Sequence, residues 1–408
     1  MPPEIKSICM FSNLYPPIVS GSSTQSSALA RELVMQGKEV AVITARVNRD
    51  TKIYENIDGV HVYRIPCIKL PKMEIALNFP WLNLTFIPGN MRRITEIIKK
   101  HKSDVLHLHN HMFDLAFSAV RIRKNLHIPM VVTIHTMIKH SQNIYNMLLY
   151  PADKIFLKNA VIKNADIVIS PDYNILNYVR TAFRVSNNRV ILYGIEIPKP
   201  PSRERVAELR RKFNLAGKQI ILSVGHVHKI RDRKDLVESM PMVLKRISNA
   251  VLLIVGAVAT DIPSKIAMRL GIEDSVIFTG PLPHSDVGAL LSIADMEAHW
   301  LNQDSPDKTS LGVASLESMR SGKVTVSVAN ENTYGPDVLK NGENLILVEA
   351  GKIEKLAHII ISILSDLERQ TKIGSQARKS IEKHFSWGKI CSDTLSVYQE
   401  ARLRYPWK

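Results

Sequence analysis

Residues 304–328 read DSPDKTSLGVASLESMRSGKVTVSV, the pattern of a loop, a helix and a buried strand. Ser310 or Thr309 is placed to cap the helix start. Val313, Leu316 and Met319 give one apolar face, Gly322 closes the helix, and Val324 to Val328 forms a core strand. The first turn of such a helix offers backbone N–H groups without intrahelical partners and the positive end of the helix dipole, which suits a phosphate. Ser310, Leu311 and Gly312 make that turn, and the glycine keeps bulk off it. Glu317 follows Ser310 by two turns at roughly 3.6 residues each, so it returns to the same face, where a carboxylate can hold a sugar hydroxyl. The same letters also describe an ordinary helix of an α/β protein carrying one exposed glutamate.

Strand and helix signals alternate on both sides of this stretch. Strands are predicted at Ile5–Phe11, Glu39–Thr44, Val60–Ile65, Val105–His109, Met130–Ile134, Ile167–Ser170 and Val190–Leu192, with helices at Ser23–Gln36 and Met91–His101. Residues 66–88 read as irregular. The segment Glu196–Ser202, EIPKPPS, is the linker candidate, with three prolines and Ser202 placed to cap the next helix. Strands then resume at Gln219–Val224, Val251–Val255, Val276–Thr279, Val324–Val328 and Leu345–Val348, and the chain is helical from about Lys352. The expected architecture is α/β: two doubly wound Rossmann-like domains, at 1–197 and 203–385, with 386–408 as a helix packing back on the first. Ligands of such folds bind beyond the carboxyl ends of the strands, here in the cleft expected between the domains.

With 408 residues and 45% hydrophobic side chains, the chain exceeds one typical domain. Its 54 basic and 38 acidic residues leave a net charge of +16, which favours an anionic partner such as a phosphorylated substrate or an anionic membrane. A solvated basic surface is the plain alternative. Zinc-finger spacing and RNA-recognition signatures are missing, so nucleic acid is not expected. Cys9, Cys67 and Cys391 are far apart and lack metal spacing, which reads as reduced thiols in a cytoplasmic protein. No run of about 18 apolar residues suggests a membrane-spanning helix.

The loops after the strands hold the candidate chemistry. Gly21 and Ser22, in the loop after the first strand, suit close approach of a diphosphate or form an ordinary strand–helix turn. His135 follows the strand MVVTI, where a neutral imidazole can bond a sugar hydroxyl or sit satisfied in the core. His107, His109 and His111 alternate, but without a carboxylate or thiolate at ligand spacing they read as lining or packing, and no metal is expected. The loop Gly225–Lys234, GHVHKIRDRK, offers His226, Arg231 and further basic side chains as a phosphate clamp, or a solvated turn. Phe278–His284 can edge a nucleotide base with the backbone around Leu282.

In this order the motifs resemble the retaining GT-B-fold glycosyltransferases of family 4 over nearly the whole chain. The resemblance rests on Tyr15-Pro16-Pro17 with Gly21, Asp104-Val-Leu-His107-Leu-His109, His135 after VVTI, Ala165-Asp166-Ile-Val-Ile-Ser170, and Leu316-Glu317-Ser318-Met319 before Gly322. It implies sugar transfer from a nucleotide-sugar donor without a metal, with Glu317 on the ribose and His135 on the donor sugar. It further implies that Gly21, Ser22, His226, Arg231, Leu282, Thr309, Ser310, Leu311 and Gly312 line the donor, and that Arg231 and His135 act in catalysis. The chain departs from the family in four places, the mildest being Arg231 where the family has lysine. Thr309 stands where the first glutamate of an E-x7-E pair belongs, His226 where a phosphate-binding arginine belongs, and Tyr193 where the turn before the linker carries asparagine. Those departures also suit a glycosyltransferase-like binding subunit without catalysis. The acceptor is expected on the first domain as a saccharide or lipid-linked saccharide. There the uncharged aromatic run Phe79–Pro88, the basic helix Met91–His101 and the Lys-rich span Lys139–Lys163 can rest on an anionic bilayer, peripheral to its inner face.

Overall fold

The computed structural model describes residues 4–18, 20–70, 83–138, 147, 149–196, 201–228, 231–300 and 311–405. Thr309, Ser310, Lys229, residues 79–82 of the aromatic run and residues 139–146 of the Lys-rich span lie outside them. The chain divides into two compact units, one of Met1–Gly194 with Trp387–Lys408 and one of Ile195–Ser386.

The first unit is built on an eight-stranded sheet of β1 (Ser7–Ser12), β2 (Glu39–Ala45), β3 (Tyr54–Ile57), β4 (Val60–Ile65), β7 (Val105–His109), β8 (Met130–Thr133), β9 (Ile167–Ser170) and β10 (Asn188–Val190). The short strands β5 (Ile68–Lys69) and β6 (Asn83–Leu84) pair separately. The order is β10-β9-β8-β7-β1-β2-β4-β3, parallel except for the β3 edge strand, which runs antiparallel to β4. Ile8, Val42, Leu106 and Val132 are fully buried or nearly so, the near-continuous apolar pattern of strands covered on both faces. Helix Gly21–Met35 begins two residues earlier than its expected start, because Ser20 and Ser23 form a reciprocal capping box. The terminal helix Trp387–Arg404 belongs to this unit. Its Tyr398 hydroxyl lies 2.6 Å from His107 Nδ1, and its Arg402 donates to the Asp104 carboxylate at 3.0 Å.

The second unit carries β11 (Gln219–Val224), β12 (Ala250–Val255), β13 (Val276–Gly280), β14 (Met296–His299), β15 (Val324–Ser327) and β16 (Ile346–Leu347), in the parallel order β13-β12-β11-β14-β15-β16. β14 was not legible as a strand. It is the four-residue segment MEAH, polar at alternate positions, yet all four residues are buried. The helix of the opening stretch runs Val313–Arg320 with Gly312 as its N-cap. Leu316 and Met319 are buried as expected, whereas Val313 is exposed and does not join their face. Gly322 follows the helix at φ 75°, the left-handed conformation that glycine adopts without strain.

Candidate functional site

In the second sheet the strand order reverses between β11 and β14, and a doubly wound sheet opens a crevice at such a switch point, beyond its carboxyl ends. On the β12 side of β11 the strand ends are drawn together by glycine. The Gly225 N–H donates to Val255 O at 2.8 Å and the Gly256 N–H to Gly280 O at 3.0 Å. A Cβ on Gly256 would stand 2.4 Å from Gly225 O, so no larger residue fits.

The basic loop after β11 divides into an inner and an outer part. Arg233 is fully buried and donates to Ser223 Oγ (3.1 Å) and to the carbonyls of Gly225 (3.2 Å), His226 (3.3 Å) and Arg231 (2.6 Å). Its guanidinium is therefore the internal tie of the loop and not part of a phosphate clamp. His226 is exposed and Arg231 half-buried on the loop that Arg233 holds. Arg231's charge, secondary to burial, helps lower the pKa of Arg233, His228 and His299.

His299, at the end of β14, is buried with neither ring nitrogen hydrogen-bonded. Burial, with the charges of Arg231 and Arg233, lowers its pKa to about 3, so it stays neutral. A Cβ on Gly312 would fall 2.9 Å from His299 Cε1, which places the start of the Val313–Arg320 helix against this imidazole. One turn into that helix, Glu317 Oε1 lies 2.9 Å from Nε2 of His284, the first residue of helix His284–Ile293. The carboxylate bond raises the His284 pKa. Beneath them Glu297 of β14 is wholly buried. Burial pushes its carboxyl up to about 8, only partly offset by its hydrogen bond with Ser315 and the charge of Arg233.

In the first unit, His107, His109 and His135 meet across β7 and β8. His135 Nε2 lies 2.9 Å from His109 Nδ1, and its Nδ1 lies 2.9 Å from the Tyr193 hydroxyl, so both ring nitrogens have partners inside the unit. Burial lowers the pKa of His135 to about 4 and of His107 to about 3, and both imidazoles are neutral near pH 7. A cavity of about 30 Å³ is lined by Gln25, His107, His109, His135, Tyr193 and Trp387 among others. It has room for about one water and none for a sugar.

Two family descriptions match this chain: "Glycosyltransferase Family 4" over residues 19–197 and "Glycosyl transferases group 1" over residues 206–380. The chain belongs to the group 1, family 4 glycosyltransferases. Among its relatives is the N-acetyl-alpha-D-glucosaminyl L-malate synthase of Bacillus anthracis, 21% identical over 94% of this chain and 95% of that protein. The alpha-monoglucosyldiacylglycerol synthase of Streptococcus pneumoniae is 28% identical over 80% of this chain and 71% of its own length. The fold is that of the GT-B glycosyltransferases. Anabaena HepE, solved in complex with UDP and glucose, superposes with a TM-score of 0.68 at 17% identity, covering 96% of this chain and 99% of that one.

Set against this family, the residues singled out in the sequence fall into separate groups. In the second unit, Gly312 and Glu317 share one helix, His226 and Arg231 share the loop after β11, and Leu282 lies in the loop that leads to His284. Leu311 is buried, with its carbonyl accepting from the Tyr334 hydroxyl at 3.2 Å. In the first unit, Gly21 and Ser22 form the first turn of helix Gly21–Met35, and a Cβ on Gly21 would meet nothing within 4 Å. Neither space nor dihedral demands glycine there. His111 does acquire a carboxylate that its spacing did not reveal, as its Nε2 lies 2.8 Å from Asp153 Oδ1. His284 and His299 carry no sequence signal beyond their place at element ends, and Arg233 is indistinguishable by composition from its exposed neighbours.

Proposed function

We propose that this glycosyltransferase moves a sugar from a nucleotide-diphosphate donor to a saccharide or lipid-linked saccharide, with retention, in the synthesis of a cell-envelope glycan or glycolipid. The observation that carries this reading is the grouping around the β11/β14 switch point. The start of helix Val313–Arg320, with Glu317 one turn on, belongs to one loop–helix segment there, and the Arg231 loop to the other. Backbone N–H groups at Gly312 and the Arg231 guanidinium suit a leaving diphosphate, and the Glu317 carboxylate suits a ribose hydroxyl. In the first unit, neutral His135 is the residue proposed for a donor-sugar hydroxyl. Its two internal hydrogen bonds mean that one must yield or be shared for it to serve. Positioning and stabilisation of the departing diphosphate supply the catalysis, with no protein nucleophile and no metal. The complex of HepE with UDP and glucose supports the donor class, and the name of the pneumococcal relative supports a lipid acceptor.

The surface of the first unit suits peripheral attachment at the inner face of an anionic membrane. Asp114 accepts from the Phe86 N–H at 2.7 Å, and Phe117, on the following turn, packs edge-on against Phe156. Phe86 and Phe156 are thus held near one end of helix Leu115–Leu126, and both are exposed. Arg121 and Lys124 lie further along the same helix, beside an open depression floored by Phe117 and Val120. Apolar side chains with basic neighbours are the composition that anionic bilayers bind. Among the described residues, no helix is long and apolar enough to cross a membrane.

Thermal-shift screening against UDP-, GDP-, ADP- and dTDP-sugars, in buffer containing EDTA, tests the donor. One nucleotide class should stabilise the protein and be hydrolysed slowly without acceptor, and Arg231→Ala should lose both effects. No stabilisation by any donor would instead favour a binding subunit. Flotation with anionic and neutral vesicles tests the surface, and failure to float with either rejects it.

A further inference from the structure

Three side chains far apart in sequence meet at the edge of the first sheet that lies away from its carboxyl strand ends. Glu39 opens β2, His61 is the second residue of the neighbouring β4, and His101 caps helix Asn90–Lys100 at its C-terminus. Glu39 Oε1 lies 2.5 Å from His101 Nδ1, the two imidazole centroids are 4.8 Å apart, and one ligand atom of each residue lies within 4.8 Å of the others.

The second atom of each imidazole is already held. The Tyr54 hydroxyl lies 2.9 Å from His61 Nδ1, and the Tyr63 hydroxyl 2.8 Å from His101 Nε2. His61 therefore keeps Nε2, and His101 keeps Nδ1, for a common partner. Metal-binding histidines characteristically have the other nitrogen fixed in this way by a hydrogen-bonding group. We infer that Glu39, His61 and His101 bind a divalent transition cation of the zinc class, with Tyr54 and Tyr63 orienting the two imidazoles.

Two histidines and one carboxylate are a zinc donor set that leaves a fourth, tetrahedral position for water. Bonds of about 2.0–2.2 Å would place the ligand atoms roughly 3.4 Å apart. Glu39 and His61 are the exposed and half-exposed members of the group, so they supply the movement, while His101 stays in place. With Nδ1 on the metal, His101 would carry its proton on Nε2, and that N–H would donate to the Tyr63 oxygen. Among the described residues, the Lys100 side chain opposes the cation. The Lys100 ammonium lies 3.3 Å from the Tyr63 hydroxyl and 5.8 Å from both tyrosine ring centroids. The carboxylate of Glu39 offsets it. The ion would pin β2, β4 and the end of helix Asn90–Lys100 together, remote from the strand ends where sugar chemistry is placed, so it would stabilise this unit and take no part in transfer.

Titration of the EDTA-stripped, desalted full chain with zinc chloride by calorimetry, and with cobalt chloride by visible absorption, tests this inference. One equivalent should bind, with a cobalt spectrum of low coordination number. His61→Ala and Glu39→Gln should each abolish that equivalent while leaving the circular dichroism spectrum and sugar transfer unchanged. Tyr54→Phe should weaken binding by about tenfold, and Lys100→Met should strengthen it. No zinc uptake by the wild-type chain, or an unchanged equivalent in both ligand variants, would overturn the site.

Discussion

The Tyr193 hydroxyl lies 2.9 Å from His135 Nδ1, and the two rings stack with centroids 5.6 Å apart and planes 14° from parallel. The residue that departs from the family's turn is therefore, with His109, one of the two that fix the imidazole at the end of β8. Tyr193→Phe keeps the stacking and removes the hydrogen bond. It should cost about 1 kcal/mol in urea unfolding and, if His135 meets the donor sugar as proposed above, lower kcat more than it raises KM. Unchanged kinetics would separate Tyr193 from the reaction.

Glu317 and His284 form a hydrogen-bonded pair, and the function proposed above gives the ribose contact to the carboxylate and its orientation to the imidazole. Glu317→Ala should lower kcat/KM for the donor by roughly 10–150-fold, the worth of about 1.5–3 kcal/mol for a hydrogen bond to a charged group. His284→Ala should have a smaller effect that fades as the pH is raised and His284 loses its charge in the wild type as well. Equal losses at every pH would show that His284 does more than orient.

Buried Glu297 gives the second unit a distinct pH response. Its carboxyl titrates near 4.5 when unfolded and near 8 in place. Between those values the folded chain keeps a proton that the unfolded chain releases, so this group's contribution falls as the pH rises, by at most about 1.4 kcal/mol per unit, and levels off above 8. The Arg233 guanidinium, lowered only to about 10 by burial, remains charged throughout this window. Glu297→Gln removes the response. The stability of the variant relative to wild type should therefore grow from pH 5 to pH 8, as followed by urea unfolding at each pH. A constant difference would show that the carboxyl is ionised in the folded protein.

Gly312→Ala drives a methyl group to within 2.9 Å of His299 Cε1. Overpacking of this kind costs about 1–3 kcal/mol. The double variant Gly312→Ala/His299→Ala should recover part of the loss, measured as a coupling energy in a double-mutant cycle. Additive losses would show that the two residues do not meet in solution.

The sequence was most legible where several large apolar residues recur along a segment bounded by turn residues. Val60–Ile65, Val105–His109, Ile167–Ser170 and Gln219–Val224 are strands with the bounds their letters suggest. It failed where a four-residue buried strand held only a methionine and an alanine as apolar residues. Glu297 and His299 disguised β14, although that strand lies beside β11 in the middle of its sheet. The edge strand Tyr54–Ile57 was lost for the opposite reason, since it is only partly buried and offers no apolar run. Glu317 was legible from its place on a helix, but its contact with His284 depends on two helices 33 residues apart and has no local signal. The separation of buried Arg233 from half-buried Arg231 turns on one step of backbone direction, which composition does not record.

The first unit is closed by the last helix of the chain. Tyr398 reaches His107, Arg402 reaches Asp104, and the Trp387 ring stands where a Cβ on Gly194 would collide with it at 2.3 Å. During vectorial synthesis the first 194 residues leave the ribosome long before those partners exist, whereas the second unit is one continuous segment that is complete when Ser386 emerges. The first unit thus gains its closing helix only after the second unit has been made. Before helix Trp387–Arg404 is made, His107 lacks its tyrosine partner and Asp104 its arginine.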